Sequence, residues 1–92
     1  MIQFDYKVKN GKLLRILADI DSGKIISLKI RGDFFMHPED FIYDLESFLV
    51  GKSVLDLDLK TLDEYLHQNK VEVIGFSSID LLYCLNQIND SL

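Results

Sequence analysis

At 92 residues the chain is the length of one domain near the low end of independent folding, burying roughly 60–65% of the surface its unfolded form exposes. Its composition, 48% hydrophobic and 27% charged, is globular, and it leaves no room for both a deep substrate pocket and the scaffold around one. The net charge of −5 with scattered basic residues excludes the basic stripe that nucleic-acid binding needs. One cysteine excludes an internal disulfide or a multi-cysteine metal site. No apolar run reaches about 18 residues and no signal peptide opens the chain, so a soluble cytoplasmic protein with no membrane partner is expected.

Ile2 to Val8 alternates strictly, with Ile2, Phe4, Tyr6 and Val8 on one side, and reads as a half-buried strand. Lys9–Lys12 is a turn in which Asn-Gly tolerates positive φ. Leu13 to Ile20 is a second strand with Leu14, Ile16, Ala18 and Ile20 inward and Arg15 and Asp19 outward. Asp21–Gly23 reads as a three-residue hairpin loop with glycine last. Lys24 to Arg31 is the third strand, with Ile26, Leu28 and Ile30 inward and Ser27, Lys29 and Arg31 outward. The outer sheet face thus carries Arg15, Lys29 and Arg31, with Lys24 at its far end. If register brings Arg15 near Lys29, these like charges favour an anionic counterpart; the alternative is a merely solvated face.

The strand then closes on Gly32-Asp33-Phe34-Phe35. Gly32 relaxes the backbone and Asp33 suits a turn by accepting N–H bonds. Adjacent residues of an extended segment point in different directions, so one small core does not bury both phenylalanines. One packs under the following helix; the other is a candidate anchor for a protein partner.

The remainder reads as helical. Pro38 suits a first helical turn and Glu39-Asp40 the positive end of the helix dipole. Phe41, Ile42, Leu45, Phe48 and Leu49 form one apolar stripe, and Gly51 ends the helix. Leu55, Leu59, Leu62 and Leu66 form a second stripe that ends near Asn69. Residues 71–75 are a possible short extra strand. Ser77 with Asp80 is a partial capping box for a last helix whose inward face holds Leu81, Cys84, Leu85 and Ile88. The expected architecture is α+β in two layers: a three-stranded antiparallel sheet (residues 2–31) covered on one face by about three helices (residues 38–90), one domain over 1–92.

No free-standing active site is visible. Cys84 falls on an apolar helix stripe, as a small core residue does. His37 and His67 lie 30 positions apart with no carboxylate or thiol at ligand spacing, so no metal site is expected. Asp44 with Glu46, and Asp56 with Asp58, are solvated charges, and capping explains Ser77-Ser78.

The segments GKLLRILADIDSGKIISLKIRGDFF, HPEDFIYDLESFLVGK and VIGFSSIDLLYCLNQI together resemble the C-terminal accessory domain of lipoate–protein ligases. The shared features are a glycine-led basic strand (Gly11 to Arg15), a hairpin and strand (Gly23 to Ile30), and Gly32 to Phe35. Leu49 to Gly51 and Gly75 to Ser77 complete the set, and the likeness spans about residues 10–90. The family's large domain, with the lipoate pocket and the ATP-binding residues, has no counterpart in these residues. The resemblance therefore implies the small subunit of a bipartite ligase. It would have no catalytic residue or cofactor of its own, but would be needed with the large catalytic subunit for lipoyl-AMP formation. ATP, Mg and lipoate would act on that partner, and lipoyl-acceptor domains would be met indirectly. The residues read above fit that role, with docking expected through Asp33, Phe34 and Phe35 and with Lys12, Lys29 or Arg31 as nucleotide-side cations. Two other readings are a sulfur-acceptor or iron–sulfur-scaffold carrier, which shares the accessory domain's fold, and a non-enzymatic interaction module.

Overall fold

Alternating strands connected by tight turns build the first half of the molecule, and the computed structural model describes residues 1–92. β1 (Ile2–Lys7), β2 (Leu13–Asp21) and β3 (Lys24–Gly32) form an antiparallel sheet in the order β1-β2-β3. They are followed by β4 (Phe35–His37), α1 (Phe41–Leu49), a 3-10 turn (Val54–Asp56), α2 (Leu59–Gln68), β5 (Glu72–Ile74) and α3 (Ser78–Asp90). The architecture is the expected α+β arrangement with a second, two-stranded sheet added. The short strand near 71–75 exists, but it pairs with β4 and not with the main sheet.

Leu14, Ile16, Ala18, Ile25, Leu28 and Ile30 line the inner sheet face and are buried. α1 lies against β3 and α3 against β1 and β2, bringing Leu45, Leu49, Leu81, Cys84, Leu85 and Ile88 into one core of 17 buried apolar residues. α2 packs on α3 and reaches that core through Leu62. The capping box of α3 forms as expected: the Ser77 N–H donates to Asp80 Oδ2 at 2.8 Å. No helix is long and apolar enough to cross a membrane.

The structure corrects several local expectations. Ile26 was placed inward, but it is 51% exposed while Ile25 is fully buried. Asp19 pairs with Ser27 whereas Ile20 pairs with Ile25, so Ile26 is an extra residue in a bulge that reverses which face each side chain meets. The hairpin before it is a two-residue turn, because Asp21 already pairs with Lys24 and both Ser22 and Gly23 have positive φ. In the preceding turn only Asn10 takes positive φ. The Val8 carbonyl accepts the Gly11 N–H at 2.9 Å.

Leu55 is 77% exposed and Leu59 also faces solvent, so only Leu62 and Leu66 of the second stripe point inward. The reason lies in the connector. Residues 51–54 run along the open edge of β3, with Ile25 donating to the Lys52 carbonyl and Val54 donating to that of Gly23. This buries Val54 in a 3-10 turn and delays the helix to Leu59, where Asp58 caps it by accepting the Thr61 N–H at 2.6 Å. Pro38 likewise precedes its helix, since Pro38–Asp40 form a turn of i→i+3 bonds and α1 starts at Phe41.

Candidate partner-binding site

The end of β3 and the start of β4 are held together by close backbone approaches. A Cβ at Gly32, whose φ is 147°, would collide with the Leu13 carbonyl. A Cβ at Gly75 would come within 2.8 Å of Lys12 Cγ and 3.0 Å of Phe34 Cβ. The Gly75 carbonyl accepts the Lys12 N–H at 2.9 Å, so β5 is tied back to the start of β2. These contacts place Lys12, Gly32, Phe34 and Gly75 side by side. They explain why glycine stands on each side of the β4–β5 ribbon.

Within the ribbon the two phenylalanines separate. Phe34 turns inward and meets Phe76 edge-on, with ring centroids 4.8 Å apart at 83°. Phe35 points the other way and is 68% exposed. Its register partner is Ile74, 56% exposed, while Met36 of the next pair is buried with Val73 beside it. Period-2 alternation therefore gives the ribbon one face for the core and one apolar pair for the outside. Beside Phe35 lies a groove of about 340 Å³ lined by Ile30, Arg31, Met36, Glu39, Ile42 and Tyr43 among others. Tyr43 is 59% exposed. A second, smaller depression on the ribbon is bounded by Phe35, His37, Glu39, Glu72 and Ile74.

Sequence reasoning expected one of the two phenylalanines on the outside, and the structure assigns that place to Phe35; that reasoning missed Ile74 and Tyr43. Both had a signal. Ile74 shares its strand face with Glu72, and Tyr43 is the one aromatic of α1 that falls off the apolar stripe. Asp33 is exposed beside them, but its side chain makes no hydrogen bond; its backbone N–H continues the ladder to the Leu13 carbonyl at 3.1 Å. The expectation that Asp33 accepts N–H bonds in the turn is thereby corrected. The β2–β3 ladder already satisfies the local donors.

The like charges of Arg15 and Arg31, which the register sets directly opposite each other, are each offset by a carboxylate, while Lys29 on the same face is not. Arg15 sits between Asp5 on β1 and Arg31 on β3, while Lys29 lies opposite Leu17. Arg15 donates from Nε and Nη2 to the two Asp5 oxygens at 2.9 Å each, and the guanidinium holds the Asp5 carboxyl below its ordinary value. Arg31 Nη1 donates to Glu46 Oε2 at 2.7 Å, to the Ile30 carbonyl at 2.8 Å, and its guanidinium lies 6.0 Å from the Tyr43 ring centre. Glu46 also accepts the Ile30 N–H at 2.7 Å, closing the free edge of β3. Lys12 and Lys29 have no ion-pair partner.

No set of three His, Cys, Asp or Glu side chains is grouped to hold a metal ion. His37 and His67 are exposed and lie on different elements, β4 and α2. Cys84 is fully buried, and burial, with Asp80 adding to it, pushes its thiol up to about 12. A thiol so placed is neither accessible nor ionised at neutral pH, which is the opposite of what a sulfur acceptor requires.

Fold and surface define a class: a small α+β module carrying an apolar pair and an adjoining groove on one end. The comparisons with known proteins agree in kind. No protein-family model matches the chain. Lipoate-protein ligase A subunit 2 of Thermoplasma acidophilum is 44% identical over 54 residues, which is 59% of this chain and 56% of that protein. The matched stretch thus spans little more than half of that relative's length. A solved chain from the same organism superimposes with a TM-score of 0.72 at 29% identity, covering 91% of this chain and 97% of that one. It comes from a structural analysis of an archaeal lipoylation system, a bipartite lipoate protein ligase and its E2 lipoyl domain. The resemblance drawn from the motifs between residues 10 and 90 is matched in fold over 91% of the chain and in the curated relative's sequence over 54 residues.

Proposed function

We propose that this chain is the small accessory subunit of an ATP-dependent bipartite lipoate–protein ligase. It joins a large catalytic chain as a heterodimer and is needed for forming lipoyl-AMP, ahead of lipoyl transfer to a lysine of an acceptor protein. One observation carries the reading: a fold that matches a chain of such a ligase over nearly its full length exposes Phe35 and Ile74 where nothing in the fold needs them exposed. Asp33, Phe34 and Phe35 form the docking corner, Phe35 as the anchor and Phe34 as its internal support.

ATP, Mg and lipoate act on the partner in this reading. The small chain contributes by closing the adenylating site against water and placing a cation near a phosphate-rich intermediate, where a fixed charge in a dry site counts for more than in solvent. Lys12 and Lys29 are the nucleotide-side candidates because neither has an ion-pair partner.

The test is lipoate-dependent pyrophosphate release by the catalytic chain with and without this one. Adenylation should depend on the small chain, while transfer from supplied lipoyl-adenylate should persist without it. Full-speed adenylation by the catalytic chain alone would overturn the reading. Lys29→Ala and Lys12→Ala then separate the cations: the relevant one lowers adenylation and spares transfer.

A further inference from the structure

Arg31 is one of the three candidate nucleotide-side cations, yet the fold sets it in the wall of the groove beside Phe35. Its Nη1 is consumed by Glu46 and the Ile30 carbonyl, while Nε and Nη2 make no hydrogen bond within the chain. The guanidinium is thus fixed on one side and open on the other. At 45% side-chain exposure it presents the open side to solvent. The exposed Tyr43 hydroxyl close by is also without a partner in the chain.

We infer that this groove receives a segment of the catalytic chain in which an apolar side chain is followed by a carboxylate. The apolar group lies against Phe35, Ile42 and Met36, and the carboxylate accepts from Arg31 Nε and Nη2. The inference rests on the accessory-subunit reading and assigns Arg31 to protein docking in place of the nucleotide. Charge complementarity selects the occupant. Two parallel N–H donors of a planar cation match a carboxylate, and the hold of Glu46 lowers the entropy that an arginine loses on binding. Glu39 lines both the groove and the smaller depression beyond Phe35 and has no ion-pair partner. It repels a second carboxylate there and so fixes the direction in which the segment lies.

The experiment measures the dissociation constant between this chain and the catalytic chain by calorimetry, together with adenylation kinetics at saturating small chain. Arg31→Ala is expected to weaken association about tenfold or more and to flatten its dependence on salt between about 50 and 300 mM. The KM for ATP and the saturated adenylation rate should stay at wild-type values. Arg31→Lys, which keeps a charge for Glu46 but loses the fork, should fall between the two and serves if Arg31→Ala does not fold. Unchanged affinity in Arg31→Lys and Arg31→Ala overturns the inference, as does a raised KM for ATP at saturation, which returns Arg31 to the nucleotide. Adenylation that is indifferent to the small chain overturns the accessory-subunit reading itself, and this inference with it.

Discussion

The two sheets of this molecule obey the same alternation and use it differently. In the three-stranded sheet the inward set of β2 and β3 is covered by α1 and α3, and Leu14, Ile16, Ala18 and Ile25 have no solvent exposure. Full burial of each large side chain stabilises the fold by about 1.5–3 kcal/mol. In the β4–β5 ribbon Met36 alone is buried, and Phe35 with Ile74 stands in water. Two strands of three residues are too small to be stable by themselves, and this ribbon persists because Phe34, Met36 and Phe76 fasten it to the core. Its outer pair contributes nothing to that fastening. Side chains that the fold does not use are free to serve association, and large apolar ones gain most from being covered there.

The sharpest test of the covered sheet is chemical. Cys84 packs beneath it, and a thiol raised to about 12 has about a thousandfold less thiolate at pH 8 than one at its ordinary value near 9. Labelling by a thiol reagent in the folded protein should be slower than in urea by well over about tenfold, since burial both suppresses the thiolate and blocks access. Rapid labelling would break the picture of a closed core and revive the sulfur-carrier reading. The sign for stability follows: burial favours the neutral thiol, so its contribution is full below the unfolded value. It is lost as pH rises from there towards 12.

Leu14→Ala comes next. Removing a fully buried leucine from β2 should destabilise by about 3 kcal/mol and lower the urea midpoint accordingly, with the slope unchanged. Phe35→Ala should do the reverse, leaving the urea midpoint within about 0.5 kcal/mol while weakening association with the catalytic chain by about thirtyfold. Ile74→Ala should act the same way at about a third of that effect, because the smaller side chain buries less area. If Phe35→Ala cost as much stability as Leu14→Ala, the two sheets would not differ in kind.

The contrast also explains what was readable in the sequence. Strict alternation in β1 and the i, i+2 spacing of Leu14, Ile16 and Ala18 in β2 announced their inward faces, because a strand packed on one side only lines that side with apolar residues. The spacing of Leu81, Cys84, Leu85 and Ile88 did the same for α3. Alternation failed at Ile26, since a bulge depends on how two strands pair across a turn and leaves no mark in one strand's own pattern. Leu55 misled because the connector at 51–54 is captured by the edge of β3, a tertiary contact that overrides helical periodicity. At the candidate site the doubled phenylalanine was legible from local geometry alone. Its neighbours Ile74 and Tyr43 were not, because they reach it only through the pairing of β4 with β5 and the position of α1. The ion pairs of Arg15 and Arg31 were hidden for the same reason: the register sets Asp5 opposite Arg15, and the position of α1 brings Glu46 to Arg31.

The smallest effect is expected on the uncovered face of the large sheet, where apolar covering is absent and charge pairing takes its place. The Arg15–Asp5 pair has good geometry but is exposed, and solvent screens such pairs until they contribute little. Arg15→Ala should leave the urea midpoint at pH 7 unchanged within error. The guanidinium lowers the Asp5 value in the fold, so whatever stability the pair adds is present above the unfolded carboxyl value near 4. It is lost as pH falls through the lower folded value. The wild type and the variant should therefore converge in acid if they differ at all. A loss at pH 7 comparable to that of Leu14→Ala would mean that the outer face is also held by its side chains. Exposure alone would then no longer mark Phe35 and Ile74 as residues set aside for a partner.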